Sequence, residues 1–197
     1  MSSTQNKQAR LQRLAEALEH YEAHGSDLFD HGLEEEKAKV RKRALLLLDH
    51  RLRSRKELTD RLIALEFEPD IVNKVIEDFI RVGLVNDEAF AEQWVRERFA
   101  MRGKSRSILA MELREKGIAE SISAQALAQI DDDDEAAKAE KLAAKKARSI
   151  KEVPGDKKMY NADLRRVVGV LARRGFPAGL SMRIARQELD RRINELS

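Results

Sequence analysis

Hydrophobic positions recur at the spacing of amphipathic helices along most of the chain. The first clear stripe, at i, i+4, i+7 and i+8, consists of Val40, Ala44, Leu47 and Leu48. A second stripe in residues 71–79 follows Pro69 and precedes Gly83. Proline suits the first turn of a helix, where its missing N–H is unpaired anyway, and glycine is typical just beyond a helix end. The pattern predicts an all-α protein.

A three-helix unit recurs along this helical chain. When Leu62, Leu113 and Leu171 are aligned, the columns four residues before and five, nine and thirteen residues after them are apolar in every unit. Four residues after these leucines stand Glu66, Gly117 and Gly175, and glycine there is typical of a helix end. The spacing predicts an elongated array of three tandem three-helix repeats, over residues 37–84, 85–130 and 131–197.

Residues 1–36 form an acidic N-terminal tail before the repeats. The apolar positions Leu11, Leu14, Ala15 and Leu18 predict a short amphipathic helix, followed by a linker over residues 26–36. The tail holds 3 basic and 8 acidic residues, whereas residues 157–192 hold 10 basic and 3 acidic ones. This asymmetry suggests an anionic partner for the C-terminal section. The tail is then either a solubilising leader or a competitor for the basic surface.

Helix starts can be placed from capping residues. Ser54 with Glu57 three residues later forms the pattern of a capping box. Asn86 or Asp87 is expected to cap the first helix of the second repeat, which carries Trp94 toward the core.

A run of acidic residues, 131–135, precedes the helical pattern of residues 136–150. Negative charge complements the positive end of a helix dipole. The run lacks the glycine and the ligand spacing of a calcium loop, so capping is expected here and no metal site. The stretch 151–160 is expected to be a loop.

The amino-acid composition restricts the fold classes and the kinds of function that this chain can have. Charged residues make up 37% of the 197 residues and aromatic residues only 5%, which favours helices over β-sandwiches. The absence of cysteine excludes disulfides, thiolate catalysis and cysteine-based metal sites. The longest apolar run, residues 44–48, is too short for a membrane span, and residues 1–36 show no signal-peptide pattern. We therefore expect a cytoplasmic protein that does not bind membranes.

The chain contains no recognisable catalytic motif. The sequence Gly103-Lys104-Ser105 is similar to the end of a phosphate-binding loop, but Arg98 stands where that loop requires its first glycine. His20 and His24 could share a helix face, but no third metal ligand is placed beside them. We expect no enzymatic activity and no cofactor.

Basic residues cluster at the same place in each repeat. The candidate partner-binding or phosphate-binding residues are Arg51, Arg53, Arg55, Arg102, Lys104, Arg106, Lys157, Lys158, Arg165 and Arg166. Stacked repeats would present them as a series of cationic patches, suited to a phosphate backbone or an acidic groove. Ser54 and Glu57 are expected to fix the turn that presents the first patch. Ordinary solvated helix faces are the alternative interpretation.

Three segments of the chain resemble the RecX family, bacterial regulators of the RecA recombinase. Residues 51–58 (RLRSRKEL) are similar to the family signature R-x-R-S-x-x-E-L, and residues 87–91 (DEAFA), with Trp94 and Arg98, to D-x-x-F-A. Residues 112–118 (ELREKGI) are similar to E-L-x-x-K-G-I. The resemblance covers about residues 40–193, and the acidic tail lies outside it.

The resemblance implies a non-catalytic modulator of homologous recombination, DNA repair and the SOS response. Such a protein docks in the groove of the RecA filament on single-stranded DNA and suppresses ATP hydrolysis and strand exchange. We expect this chain to act as a monomer and to have some weak direct affinity for DNA. The alternative is a direct, sequence-nonspecific DNA-binding helical-repeat protein, whose affinity would fall steeply with salt.

Overall fold

The computed structural model describes residues 31–197, whose regular secondary structure is entirely helical. The helices are α1 (His31–His50), α2 (Arg55–Ile63), α3 (Pro69–Arg81), α4 (Asp87–Glu97), α5 (Arg106–Glu115), α6 (Glu120–Leu127), α7 (Asp132–Ala147), α8 (Lys157–Ala172) and α9 (Ala178–Leu196). A π-helical turn, Arg98–Arg102, extends α4. The all-α prediction is confirmed for this part of the chain. The helix predicted around residues 11–18 lies outside it.

The helices fall into three consecutive groups, each with its own hydrophobic core. One core is built from α1, α2 and α3, the next from α4, α5 and α6, and the last from α7, α8 and α9. Leu62, Leu113 and Leu171, from the middle helix of each group, have no exposed surface. Each helix buries one apolar stripe against its two companions, which is the expected source of stability for short helices.

Two segments differ from their predicted secondary structure. The expectation of a linker up to residue 36 is wrong for residues 31–36, because α1 begins at His31. Glu34 stabilises this first turn: its carboxylate lies 2.7 Å from Lys37 Nζ and 3.3 Å from Arg41 Nη2. The loop predicted for residues 151–160 ends earlier, because Asp156 caps α8 by accepting a hydrogen bond from Met159 N at 2.7 Å.

The predicted helix caps are formed, with one exception. Ser54 Oγ accepts from Glu57 N at 3.1 Å, Asn86 Oδ1 from Ala89 N at 2.9 Å, and Asp131 Oδ1 from Asp134 N at 2.7 Å. The second half of the capping box at Ser54 is absent, because the Glu57 carboxylate binds arginine side chains instead.

Neighbouring groups meet at two similar seams. Ser54, the N-cap of α2, donates from Oγ to Lys116 O at 2.7 Å, just beyond the end of α5. Ser105, the N-cap of α5, donates from its backbone N to Arg174 O at 2.9 Å, just beyond the end of α8. In the first and second groups, the start of the middle helix therefore contacts the backbone just beyond the end of the middle helix in the next group.

We expect Ser54→Ala to destabilise the protein more than Ser105→Ala. Each change removes an N-cap, which costs about 1 kcal/mol. Ser54→Ala also leaves the Lys116 carbonyl without its donor, adding about 1 kcal/mol. The seam bond of Ser105 comes from its backbone and survives the substitution. Urea unfolding followed by circular dichroism measures both losses; equal losses would show that the Ser54 bond across the seam contributes no stability.

Candidate partner-binding surface

Glu57 organises basic side chains at the seam between the first and second groups. Its carboxylate, 10% exposed, accepts hydrogen bonds from Arg51 Nη1 at 3.2 Å and Arg53 Nη1 at 3.1 Å. Lys116 Nζ, from the second group, lies 3.7 Å from Glu57 Oε2. Burial by itself would raise the pKa of Glu57, but the Arg51 hydrogen bond and the charges of Arg51, Lys116 and Arg53 outweigh it and lower the pKa.

Arg53 lies inside this cluster and not on its surface. Its side chain is only 7% exposed, and its Nε donates to Leu47 O at 2.9 Å, near the end of α1. Burial lowers its pKa, the charge of Arg51 lowers it further, and Glu57 opposes both. Arg53 therefore satisfies a terminal helix carbonyl and orients Glu57, and it leaves little surface for a partner.

A second carboxylate, that of Glu112, contacts another set of basic and aromatic side chains. This carboxylate accepts a hydrogen bond from Trp94 Nε1 at 3.0 Å. It also forms ion pairs with Arg98, whose Nε lies 3.6 Å away, and with Lys104. Arg98 stacks on Trp94, with Cζ 3.4 Å from the ring centroid. Such cation–π contacts add attraction and hold the guanidinium in place.

Trp94 lies at the edge of the second core. The side chain is partly buried and packs with Phe90 at 5.3 Å between ring centroids, while its indole N–H reaches Glu112. The expected core position is therefore only half correct: one side of the ring packs on the core and the other contacts charged groups.

Lys116 joins the two clusters into one. Its Nζ pairs with Glu57 and lies 5.2 Å from the Trp94 ring centroid. We call the whole set the seam network; its members are Arg51, Arg53, Glu57, Trp94, Arg98, Lys104, Glu112 and Lys116. Five cations face two carboxylates, so the seam network carries a formal charge of +3.

Sequence reasoning missed several members of this network. It chose Arg51, Arg53 and Lys104 but not Arg98, Lys116 or Glu112 as site residues. A signal was present: the missed residues fall within, or close beside, the segments that resemble the family signatures. Their meeting point could not be read from the sequence, because it depends on how two groups pack.

The other three candidate residues of the first two groups stand within two residues of a seam-network member in the sequence. Arg55 is 54% exposed, with Nη2 3.9 Å from Glu77 Oε1. Arg102 is exposed, and its side chain has no polar partner within residues 31–197. Arg106 is held by the acidic run, with Nε 3.1 Å from Glu135 Oε2 and a further hydrogen bond to Asp132.

The acidic run acts as a helix cap and as a partner for Arg106. The hydrogen bond that Arg106 donates to Asp132 contributes most to raising the pKa of Arg106, burial opposes the rise, and Glu135 adds to it. The buried Glu135 carboxylate also accepts from Arg106 N at 2.8 Å. The run thus connects the second group to the third.

The candidate residues of the third group lie apart from the seam network. Lys157, Lys158 and Arg165 are exposed and have no polar side-chain partner in the described part of the chain. Arg166 pairs with Asp163 at 2.7 Å. No hydrogen bond or ion pair among residues 31–197 joins these four residues to the seam network.

Residues 31–197 contain neither a metal-binding cluster nor a membrane-spanning helix. No group of three or more His, Asp or Glu side chains is arranged to hold a metal ion. None of the helices there has the length and apolar character required to cross a bilayer.

The helical groups and the seam network define the class of protein: a helical protein built from small three-helix units, with a cluster of charged side chains where two of them meet. Family models agree: residues 41–79 match "RecX, first three-helix domain" and residues 86–127 match "RecX, second three-helix domain". Regulatory protein RecX of Corynebacterium efficiens is 53% identical over 197 residues, covering 98% of this chain and 94% of the relative.

Another relative and a solved structure also support membership of the same family. Regulatory protein RecX of Mycolicibacterium vanbaalenii is 42% identical over 146 residues, covering 74% of this chain and 79% of the relative. The crystal structure of RecX from Lactobacillus salivarius has a TM-score of 0.66 and 29% identity, covering 80% of this chain and 98% of that one. The chain belongs to the RecX family, as its sequence motifs predicted.

Proposed function

We propose that this chain binds the RecA recombinase filament on single-stranded DNA and inhibits its ATP hydrolysis and strand exchange. It would thereby modulate homologous recombination and DNA repair in the cytoplasm. Family membership supports the choice of partner. The observation that carries the proposal is the excess of positive charge in the seam network, which contains five cations and only two carboxylates.

The seam network suits an anionic partner because its cations are both held and accessible. Arg51, Lys116 and Lys104 are 41%, 30% and 27% exposed, yet each is oriented by Glu57 or Glu112. Side chains that are already ordered lose less entropy when they bind. A phosphate or carboxylate would use the donors that the two glutamates leave free, and Arg102 and Arg55 would extend the contact.

We also propose that the three helical groups are tandem repeats, with boundaries near residues 84 and 130. The two similar seams and the fully buried anchor leucines support this. An elongated monomer of this kind could contact successive subunits of a filament, so that weak contacts combine into a higher overall affinity. Inhibition then requires only that binding favour one state of the filament over the other, without catalysis by this chain.

The seam network gives a direct test of this proposal. Single-strand-dependent ATP hydrolysis by RecA of the same organism is measured while the protein is titrated. The unaltered protein should inhibit at less than one copy per RecA. The variant Arg51→Ala/Arg102→Ala removes one exposed cation of the seam network and the exposed arginine that would extend its contact. It should need about tenfold more protein, since two exposed charge contacts of about 0.7 kcal/mol each give that factor.

The matched control is Lys74→Ala/Lys141→Ala, which removes the same charge from exposed residues outside both the seam network and its surroundings. It should inhibit as well as the unaltered protein. If both variants lose inhibition equally, net charge and not the seam network is responsible. If the unaltered protein neither inhibits hydrolysis nor binds the filament, the proposal is wrong.

Direct binding to DNA without a preferred sequence is the second candidate function. Lys157, Lys158 and Arg165 favour it, because they are exposed, basic and unpaired within residues 31–197. Tight binding to bare single-stranded DNA that weakens steeply with salt, together with unchanged RecA hydrolysis, would support this candidate over the first.

A further inference from the structure

The first group carries an exposed apolar groove that the proposed function does not use. Its walls are the outer face of α1 and the segment between α3 and α4, and its lining includes Leu45, Leu46, Leu52 and Leu84. Their exposed fractions are 47%, 51%, 41% and 45%. A contiguous apolar patch of this kind commonly marks an interaction surface.

The groove exists because α1 is apolar on two sides near its end. Val40 and Ala44 are buried in the first core, at 1% and 0% exposed. At 100° per residue, Leu45 and Leu46 point to the opposite side of the helix. In the four-leucine run, residues 45–48, Leu47 and Leu48 pack against the core, whereas Leu45 and Leu46 line the groove, which Leu48 also borders.

We propose that this groove is occupied by the N-terminal segment of the same chain, residues 11–19, as an amphipathic helix. The proposal is independent of the RecA partner. The sequence supplies an apolar stripe of matching character: Leu11, Leu14, Ala15 and Leu18 recur at i, i+3, i+4 and i+7.

The connecting chain is long enough to reach the groove. From Leu18 to His31 there are 13 residues, which span up to about 43 Å when extended. From His31 to Leu46, 15 residues of α1 advance only about 22 Å. The segment can therefore fold back along α1 without strain.

Charge complementarity favours this occupant. Lys39, Lys42 and Arg43 stand seven, four and three residues before Leu46, on the same side of α1, and are exposed. None of them has an ion-pair partner within residues 31–197. In the N-terminal segment, Glu16 and Glu19 flank one edge of the apolar stripe. A docked segment would bury leucines against leucines and place these carboxylates beside the free cations.

The groove also borders the seam network. Leu52 lines the groove on one side and, on the other, a small cavity shared with Arg51, Trp94 and Arg98. A segment in the groove therefore lies next to the proposed partner-binding surface.

Disulfide trapping in the full-length chain tests the proposal. The protein has no cysteine, so two introduced cysteines form a unique pair. The test pair is Leu14→Cys/Leu46→Cys, and the control pair is Leu14→Cys/Met182→Cys. Met182, at 44% exposed, is about as accessible as Leu46 at 51% but lies on α9 in the third group. Copper phenanthroline in air serves as the oxidant.

The test pair should form an intramolecular disulfide about tenfold faster than the control pair, because docking raises the effective concentration of the two thiols. Adding Leu11→Asp/Leu18→Asp to the test pair should remove this advantage. Equal rates for the two pairs would overturn the proposal. A product of twice the monomer mass, formed faster at higher protein concentration, would overturn it in favour of a second copy as the occupant.

Discussion

Replacing Gly175 with alanine should lower the free energy of unfolding by about 3 kcal/mol. Gly175 has a φ of 77°, a left-handed conformation that costs a non-glycine residue about 1 kcal/mol. It also faces the second group at close range: a Cβ would lie 2.2 Å from Ile108 Cγ1 and 2.8 Å from Ser105 Oγ. Moving the buried Ser105 and the half-buried Ile108 adds about 2 kcal/mol, as in other overpacked sites.

Gly83→Ala is the matched control for this prediction. Gly83 has nearly the same φ, 76°, but a Cβ there would have nothing within 4 Å. It should cost only about 1 kcal/mol, the backbone part of the effect. Urea unfolding monitored by circular dichroism gives both values. Equal losses would show that the seam between the second and third groups is not tightly packed at Gly175.

The same seam geometry explains the one aligned position that lacks glycine. Gly117 contacts the first group, where a Cβ would lie 2.7 Å from Lys56 Cβ. Glu66 has a similar φ of 65° but is exposed, so its side chain extends into solvent. Glycine is thus required at these ends by close approach of the neighbouring group in addition to φ. The alignment of the three repeats already showed that Glu66 stands where the other two have glycine. The structure explains this difference, because the side chain at Glu66 is exposed to solvent.

The helices and cores were predictable because they depend on short-range patterns. Apolar spacing identifies a buried stripe, and Ser54, Asn86 and Asp131 each cap a helix from a position three residues before the backbone N–H that they bind. The helical start of α1 was missed because residues 31–36 carry few apolar positions. That turn depends on charge pairs between Glu34 and the basic residues that follow it.

The surface charges were harder to predict because pairing depends on distant segments. Arg106 looked like a free surface cation, but Glu135 and Asp132, 29 and 26 residues away, hold it. Arg53 lies four residues from Glu57, a readable spacing, yet its burial follows from contact with the end of α1. A basic residue in a sequence therefore indicates charge, and only the packing of the groups decides whether that charge faces solvent.

Replacing Glu57 with glutamine should also be strongly destabilising, by about 3 kcal/mol at pH 7, because it leaves the buried Arg53 without its counter-charge. Glutamine keeps the shape of the side chain and a single acceptor oxygen, so the loss reports charge and not a cavity. Glu115→Gln is the control: Glu115 is exposed on α5 and has no polar side-chain partner among residues 31–197, so its loss should be within about 0.5 kcal/mol of zero.

The effect of Glu57→Gln should depend on pH with a defined sign. The pKa of Glu57 is lowered in the folded state, so its contribution is fully present above the unfolded pKa of about 4.3 and is lost as pH falls through the folded pKa. The stability difference between the two proteins should therefore be constant from pH 7 to 5 and shrink below pH 4. Unfolding midpoints in urea across this range measure it. A difference that stays constant down to pH 3 would mean that the charge of Glu57 does not hold the seam network together.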